Sequence, residues 1–317
     1  TYIMRPMPRF SVTRMLVWLA AGLTVVAGDP SLSNAAERFT FRQHDRVVLI
    51  GGTFIERMQQ DSHLEALLTL ENTGKQLTFR NLGWSGDTVW GESRALFGTQ
   101  QDGFARLVKD VRDARPTVLM VSYGGNEAYA GLAGIERFRE GLAKLLNELQ
   151  PPDVRLILIA PPPRMRPSPR LPDPEPYNQV LQQYAEILAA EAHGREAGFI
   201  NLAGAPFRQS LSLVDYEADG IQLSAQGHRR CAEAIGEALG VTARLPADGV
   251  PALRQAIHDK NVLYFHRYRP QNETYLFLFR KHEQGNNAVE IPQFDPLVAE
   301  KENLIAQLCE RLRSSTP

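Results

Sequence analysis

Five short strand-like runs, each ending in a loop or tight turn and followed by a helical pattern, constrain this chain more than any other feature. The first, residues 47–50, runs into Gly51-Gly52, and Thr53 then opens a helical pattern with Phe54, Met58 and Leu64 as candidate core residues. A buried strand, a tight turn and one helical region over 54–71 are expected there. The pattern recurs at 76–82, which ends in Gly83-Trp84-Ser85-Gly86-Asp87-Thr88, and at 117–123, which ends in Gly124-Gly125-Asn126-Glu127. Further runs at 154–160 and 198–202 complete the set. Between them, Leu107 and Val111, then Phe138, Leu142 and Leu145, then Leu181, Tyr184 and Leu188 fall at helical spacing, and a last amphipathic helix covers 224–239. The loop over 161–176 holds eight prolines and is expected as an ordered surface crossing.

Parallel strands joined by helical crossovers of this length give a three-layer α/β/α sandwich around a five-stranded parallel sheet. In the commonest five-stranded, flavodoxin-like order the first strand lies between the second and third, and ligand binds at that switch point. The turns at Thr53, Gly86 and Asn126 then meet at one place, where helix-start N–H groups favour developing negative charge. Thr53 occupies the position of a nucleophile.

The N-terminal segment carries Arg5, Arg9 and Arg14, an uncharged run over 15–28 and small residues at Ser33, Ala35 and Ala36. The uncharged run is too short to span a bilayer, so residues 1–36 are expected as a cleaved secretory signal peptide, with a secreted or periplasmic destination and no membrane span after cleavage. The remainder carries a net charge of about −3 and has no basic face for nucleic acid. Two cysteines, Cys231 and Cys309, are too few for a disulfide scaffold or a cysteine-based zinc site. Cys231 is expected as a small core residue, and export would permit a bridge to Cys309. No phosphate-binding loop, dinucleotide-binding glycine pattern or zinc motif appears, and no cofactor or metal is expected. His44, His63, His193 and His258 lack the paired spacing of metal ligands. Beyond Ala243 the pattern changes, and 244–317 reads as a C-terminal extension of an α/β domain over 37–243, ending in a charged amphipathic helix.

The turns together resemble the SGNH hydrolase family, the GDSL-type esterases and lipases, over about residues 46–240. The family's Gly-Asp-Ser turn is similar to Gly51-Gly52-Thr53, its Ser-Gly-Asp stretch to Ser85-Gly86-Asp87, its Gly-x-Asn-Asp/Glu turn to Gly124-Gly125-Asn126-Glu127, and its Asp-x-x-His block to Asp219-Gly220-Ile221-Gln222. Within the group, the whole chain is most similar to secreted planctomycete-type modules, partly through 269–275 and 280–284. The resemblance implies hydrolysis of carboxylic esters, plausibly short acyl groups on carbohydrate. It implies Thr53 as nucleophile, the N–H groups of Thr53 and Gly86 and the amide of Asn126 around the oxyanion, and Asp219 orienting a base.

That base is absent from its usual place, because Gln222 stands where the histidine belongs and a carboxamide takes up no proton near neutral pH. Threonine for serine adds a β-methyl group that crowds attack, and Gly52 replaces the usual aspartate. Losing one oxyanion donor costs roughly 10²- to 10³-fold, whereas losing the base of a hydroxyl triad costs about 10⁶-fold. Three replacements are open. His228 is either a packing or capping residue of the last helix or a base, although helical rise would carry it away from the turn holding Asp219. His282 or Glu283 would act if the extension folded over the strand ends, against the plainer expectation of a solvated loop containing these residues and His266. The alternatives to an enzyme are a module that binds acylated carbohydrate without turnover and a protein-partner role for the extension.

Overall fold

Buried on both faces, a parallel strand reads as a continuous apolar run, and that is how the five runs fold. They form β1 (Arg46–Gly51), β2 (Thr78–Asn81), β3 (Val118–Ser122), β4 (Arg155–Ala160) and β5 (Gly198–Asn201), all parallel and in the order β2-β1-β3-β4-β5. The computed structural model describes residues 39–241, 250–283 and 287–314. The expected leader and the junction near residue 243 lie outside them. Among the described residues no helix is long and apolar enough to cross a membrane.

Among the described residues there are ten α-helices: α1 (Thr53–Asp61), α2 (His63–Glu71), α3 (Gln100–Ala114), α4 (Ile135–Leu149), α5 (Glu175–Gly194), α6 (Ala205–Ser210), α7 (Ala225–Ala238), α8 (Val250–Tyr268), α9 (Glu273–Leu276) and α10 (Phe294–Ser314). Helices α3, α4 and α5 cover one face through Leu107, Phe138, Leu142 and Tyr184. Helices α1, α2 and α7 cover the other through Ile55, Met58, Leu68 and Ile235. The three-layer sandwich and the position of β1 between β2 and β3 agree with the sequence expectation.

One element differs with consequence. The single helical region expected over 54–71 is broken at Ser62, which is left-handed at φ 56° and whose hydroxyl donates to the Gln59 carbonyl at 3.0 Å. Gln59-Gln60-Asp61-Ser62 interrupts the apolar stripe, and the serine side chain offers the backbone a local alternative to helix. The break leaves Asp61 at the end of α1. Helix α6 was not expected, since six residues are too few to show a period. Cys231 and Cys309 are both free and buried, in two separate apolar clusters, and burial raises both thiols. The bridge that export would permit is therefore not formed.

The extension packs as an antiparallel pair, α8 with α10, whose Leu253, Ala256, Ile257, Ile305 and Cys309 close over Ala66 of α2. Lys260 of α8 is fully buried, paired with Glu65 and donating to the Phe79 carbonyl at 3.2 Å, and Arg80 of β2 pairs with Glu302 of α10 at 2.5 Å. Removing one partner of a buried pair strands the other charge. Lys260→Ala is expected to cost about 3–5 kcal/mol in urea unfolding, with a far smaller loss when Lys260→Met is combined with Glu65→Leu.

Candidate functional site

The carboxyl ends of β1, β3 and β4 open into a cleft of about 180 Å³ whose walls include Thr53, Arg57, Asn126, Arg164, Gln222 and His228. Thr53 is the first residue of α1, so its backbone N–H belongs to the helix-start donors left without an intrahelical partner. The N–H of Gly86 donates to Thr53 Oγ1 at 3.2 Å. It can do so because Gly86 is left-handed, at φ 76°, a conformation that costs glycine nothing. Asn126 reaches in from the end of β3, donating one amide hydrogen to the Asp87 carbonyl at 2.8 Å. A Cβ on Gly52 would lie 3.1 Å from the Asn126 amide nitrogen. Glycine in place of the family's aspartate therefore gives that amide its room. The Gly86 N–H thus meets the Thr53 hydroxyl, and Thr53 and Asn126 line the same cleft.

The turn carrying Gly86 is held from behind. Glu56 of α1 accepts from the Ser85 N–H at 2.6 Å and from its hydroxyl at 2.9 Å. Arg269, just past α8, pairs with Glu56 at 3.0 Å and lies over the Trp84 ring with its guanidinium carbon 3.5 Å from the centroid. Tyr268 donates its hydroxyl hydrogen to the Gly83 carbonyl at 3.1 Å. On the inner side, buried Arg94 donates to Asp87 and to the Leu82 carbonyl, each at 2.7 Å, and Tyr123 donates to the same Asp87 oxygen at 3.0 Å. The turn is thus fixed by α1, by the interior and by the extension.

The proton-handling residues are arranged differently from the family pattern. Asp219 is exposed and does not line the cleft; its Oδ1 accepts from the N–H groups of Ile221 and Gln222, both at 2.9 Å. Gln222 does line the cleft. So does His228. The fourth residue of α7, His228 is only 4% exposed and its Nδ1 lies 2.7 Å from Asp61 Oδ2. The hydrogen bond from His228 is the leading reason why the Asp61 carboxyl lies below its ordinary range, against the opposing effect of burial. An ionised carboxylate only accepts, so Nδ1 of His228 carries the hydrogen of this bond, which leaves Nε2 as the ring nitrogen free to exchange a proton. No hydrogen bond joins His228 to Thr53.

His282 and Glu283 do not line the cleft, and Glu283 is paired with Arg280. The extension reaches the site through Tyr268 and Arg269 instead. Glu127, after Asn126, accepts from the N–H groups of Val89 at 2.9 Å and Gly124 at 2.8 Å, tying the second and third turns together, and burial pushes its carboxyl up to about 7. Among the described residues no group of three or more histidines, cysteines and carboxylates could hold a metal. Asp61, Glu56 and Arg269 were not singled out from sequence. The break after Asp61 was the one available signal, as a polar interruption in an apolar helix.

A match to the GDSL-like lipase/acylhydrolase family spans residues 58–230, more than half of the chain. The chain belongs to that family. The matched segment contains Gly86, Asn126, Asp219, Gln222 and His228 and begins just after Thr53. No curated protein sequence matches it. Among solved structures it resembles a catalytic mutant of an acetylxylan esterase from Geobacillus stearothermophilus, at 18% identity and a TM-score of 0.52, over 65% of this chain and 100% of that one. An α/β hydrolase from the metagenome of Lake Arreo gives 20% identity and a TM-score of 0.52 over 64% and 99%. A gut microbial diltiazem-metabolizing enzyme gives 20% and 0.51 over 63% of this chain and 48% of that one, so the chain spans about half of that enzyme's length. At these identities the likeness is one of fold.

Proposed function

We propose that this protein is an exported carboxylic ester hydrolase that removes short acyl groups from carbohydrate, with Thr53 as nucleophile and His228, held by Asp61, as the base. The observation that carries this reading is the Gly86 N–H placed on Thr53 Oγ1 beside the Asn126 amide, in a cleft that His228 also lines. The cleft's volume lies below the roughly 300 Å³ at which drug-sized pockets begin, which suits a short acyl group. The acetylxylan esterase with the same fold supports an acylated carbohydrate, and the leader-like segment over 1–36 supports export.

In this mechanism Thr53 Oγ1 attacks the ester carbonyl while its proton passes through one water to His228 Nε2. The water follows from the absence of a direct bond between the two side chains. The tetrahedral oxyanion is held by the N–H groups of Thr53 and Gly86 and by the second amide hydrogen of Asn126, the first remaining on Asp87. His228 returns the proton to the departing alkoxide, and water, deprotonated by the same imidazole, releases the acid from acyl-Thr53. Gln222 takes no proton and serves as a neutral hydrogen-bonding wall.

A second reading, a module that binds acylated carbohydrate without turnover, is favoured by Gln222 at the usual base position and by the engagement of Asp219 with backbone N–H groups. Acetate release from p-nitrophenyl acetate and from acetylated xylan separates the two. Saturable release above buffer supports the hydrolase. Saturable binding of acetylated xylo-oligosaccharide without acid release supports the module.

The extension has a part in the same reading, as the support of the oxyanion turn. Arg269→Ala removes both the ion pair to Glu56 and the stacking on Trp84, and is expected to lower kcat roughly 10- to 100-fold with KM little changed. Arg269→Lys, which restores charge without the planar stacking, should recover part of the loss. A partner-binding role for the extension alone would leave kcat untouched in both variants.

A further inference from the structure

Two guanidinium groups in the cleft lack an acidic partner. Arg57 stands on α1 one turn after Thr53, lines the cleft, is half-buried and makes no hydrogen bond or ion pair. Arg164 lies in the proline-rich crossing after β4, with its guanidinium carbon 3.6 Å from the Tyr177 ring centroid and 4.2 Å from that of Tyr129. Tyr177 is itself anchored by its hydroxyl to the Gly125 carbonyl at 2.7 Å. Stacking occupies the faces of the Arg164 guanidinium and fixes its plane, leaving its edge donors without a carboxylate.

The acids around the cleft are already engaged. Asp87 is paired with Arg94, Asp61 with His228, and both Glu127 oxygens accept backbone N–H groups. The unmatched charge on the cleft walls is therefore positive. Strand β4 lies two positions from β1 in the sheet, roughly 10 Å away, and Arg57 and Arg164 line one cleft with Thr53. A buried or half-buried guanidinium without an acid is a costly arrangement for stability alone, and an arriving anion would relieve it.

We propose that Arg57 and Arg164 form an oxyanion-recognising subsite, so that the carbohydrate taken by this cleft carries a carboxylate or sulfate group close to the acylated position. The inference rests on the hydrolase reading for its acyl group, but not for its charge preference. Calorimetric titration of the full chain with trigalacturonate, a sulfated galacto-oligosaccharide and neutral xylotriose tests it.

At low salt at least one anionic probe is expected to bind roughly 10- to 100-fold tighter than xylotriose. Which probe does so assigns carboxylate or sulfate. The preference should fall with added salt and disappear in Arg57→Gln combined with Arg164→Gln, at an unchanged melting temperature. Equal binding of all three probes, no binding of either anion, or a preference that survives the double substitution overturns the subsite. If an anion binds as expected and no acid is released from any ester, the hydrolase reading fails while the subsite stands. If neutral aryl acetate is hydrolysed and no anion preference exists, the reverse holds.

Discussion

Thr53→Ala is expected to abolish measurable ester turnover, lowering kcat by roughly 10⁴- to 10⁶-fold while KM changes little. Threonine is an uncommon choice for this role, because its β-methyl group restricts χ1 and crowds the approach to a carbonyl. Here the restriction also fixes the hydroxyl, since Oγ1 already accepts from the Gly86 N–H at 3.2 Å and cannot rotate freely without losing that bond. Removing the hydroxyl leaves the Thr53 and Gly86 N–H groups and the Asn126 amide in place. Substrate binding survives for that reason, and the loss falls on kcat. Thr53→Ser, which keeps the nucleophile and removes the methyl, should match or exceed the wild-type rate. An unchanged kcat in Thr53→Ala, read by acetate release from aryl acetate, would move the chemistry elsewhere in the cleft.

The second large effect is expected at His228. His228→Gln removes the one imidazole lining the cleft and should lower kcat by roughly 10⁴- to 10⁶-fold, as loss of the base does in a hydroxyl triad. Asp61→Asn should cost less, about 10⁴-fold, since the imidazole remains but loses the carboxylate that fixes its tautomer. The pair also carries a stability signature. The Asp61 carboxyl is held below the ordinary carboxylate range, chiefly by the hydrogen bond from His228. Its folded-state pKa is depressed, so its stabilisation is fully present above the unfolded-state pKa and is lost as pH falls from there through the lower folded pKa. His228→Gln should therefore flatten the acid limb of the stability curve as well as abolish turnover. Gln222→His separates this account from its rival. If that change raises the wild-type rate and His228→Gln has no effect, the base belongs beside Asp219 and is missing from the native chain.

Much of this architecture was legible because its signals are local and repeated. β1, β3 and β4 are largely apolar runs, the first three strands lead into glycine-containing turns, and parallel connectivity places β1 between β2 and β3. Thr53, Gly86 and Asn126 could be brought together on paper for the same reason, since their turns follow strands whose neighbours are fixed by the fold. The dyad was not legible. His228 is displaced from Asp219 along α7, but its partner, Asp61, lies 167 residues away in sequence and comes within reach only because the chain breaks at Ser62. Arg269 escaped notice on similar grounds. Its meaning depends on Glu56 and Trp84, and no periodicity in an aromatic and basic stretch of α8 announces contacts with a turn some 180 residues earlier. Short-range pattern reveals elements and turns, whereas charge pairs between distant elements require coordinates.

The central claim is that the Thr53 hydroxyl is the nucleophile and that its donors and base sit around it in one cleft. The most direct measurement is covalent labelling by a fluorophosphonate, followed by peptide mass spectrometry. Wild-type protein is expected to take up one phosphonyl group on Thr53, Thr53→Ala none, and His228→Gln the same group at a greatly reduced rate. Stoichiometric labelling at another residue, or no labelling of wild-type protein under conditions that label a serine esterase, would contradict the account.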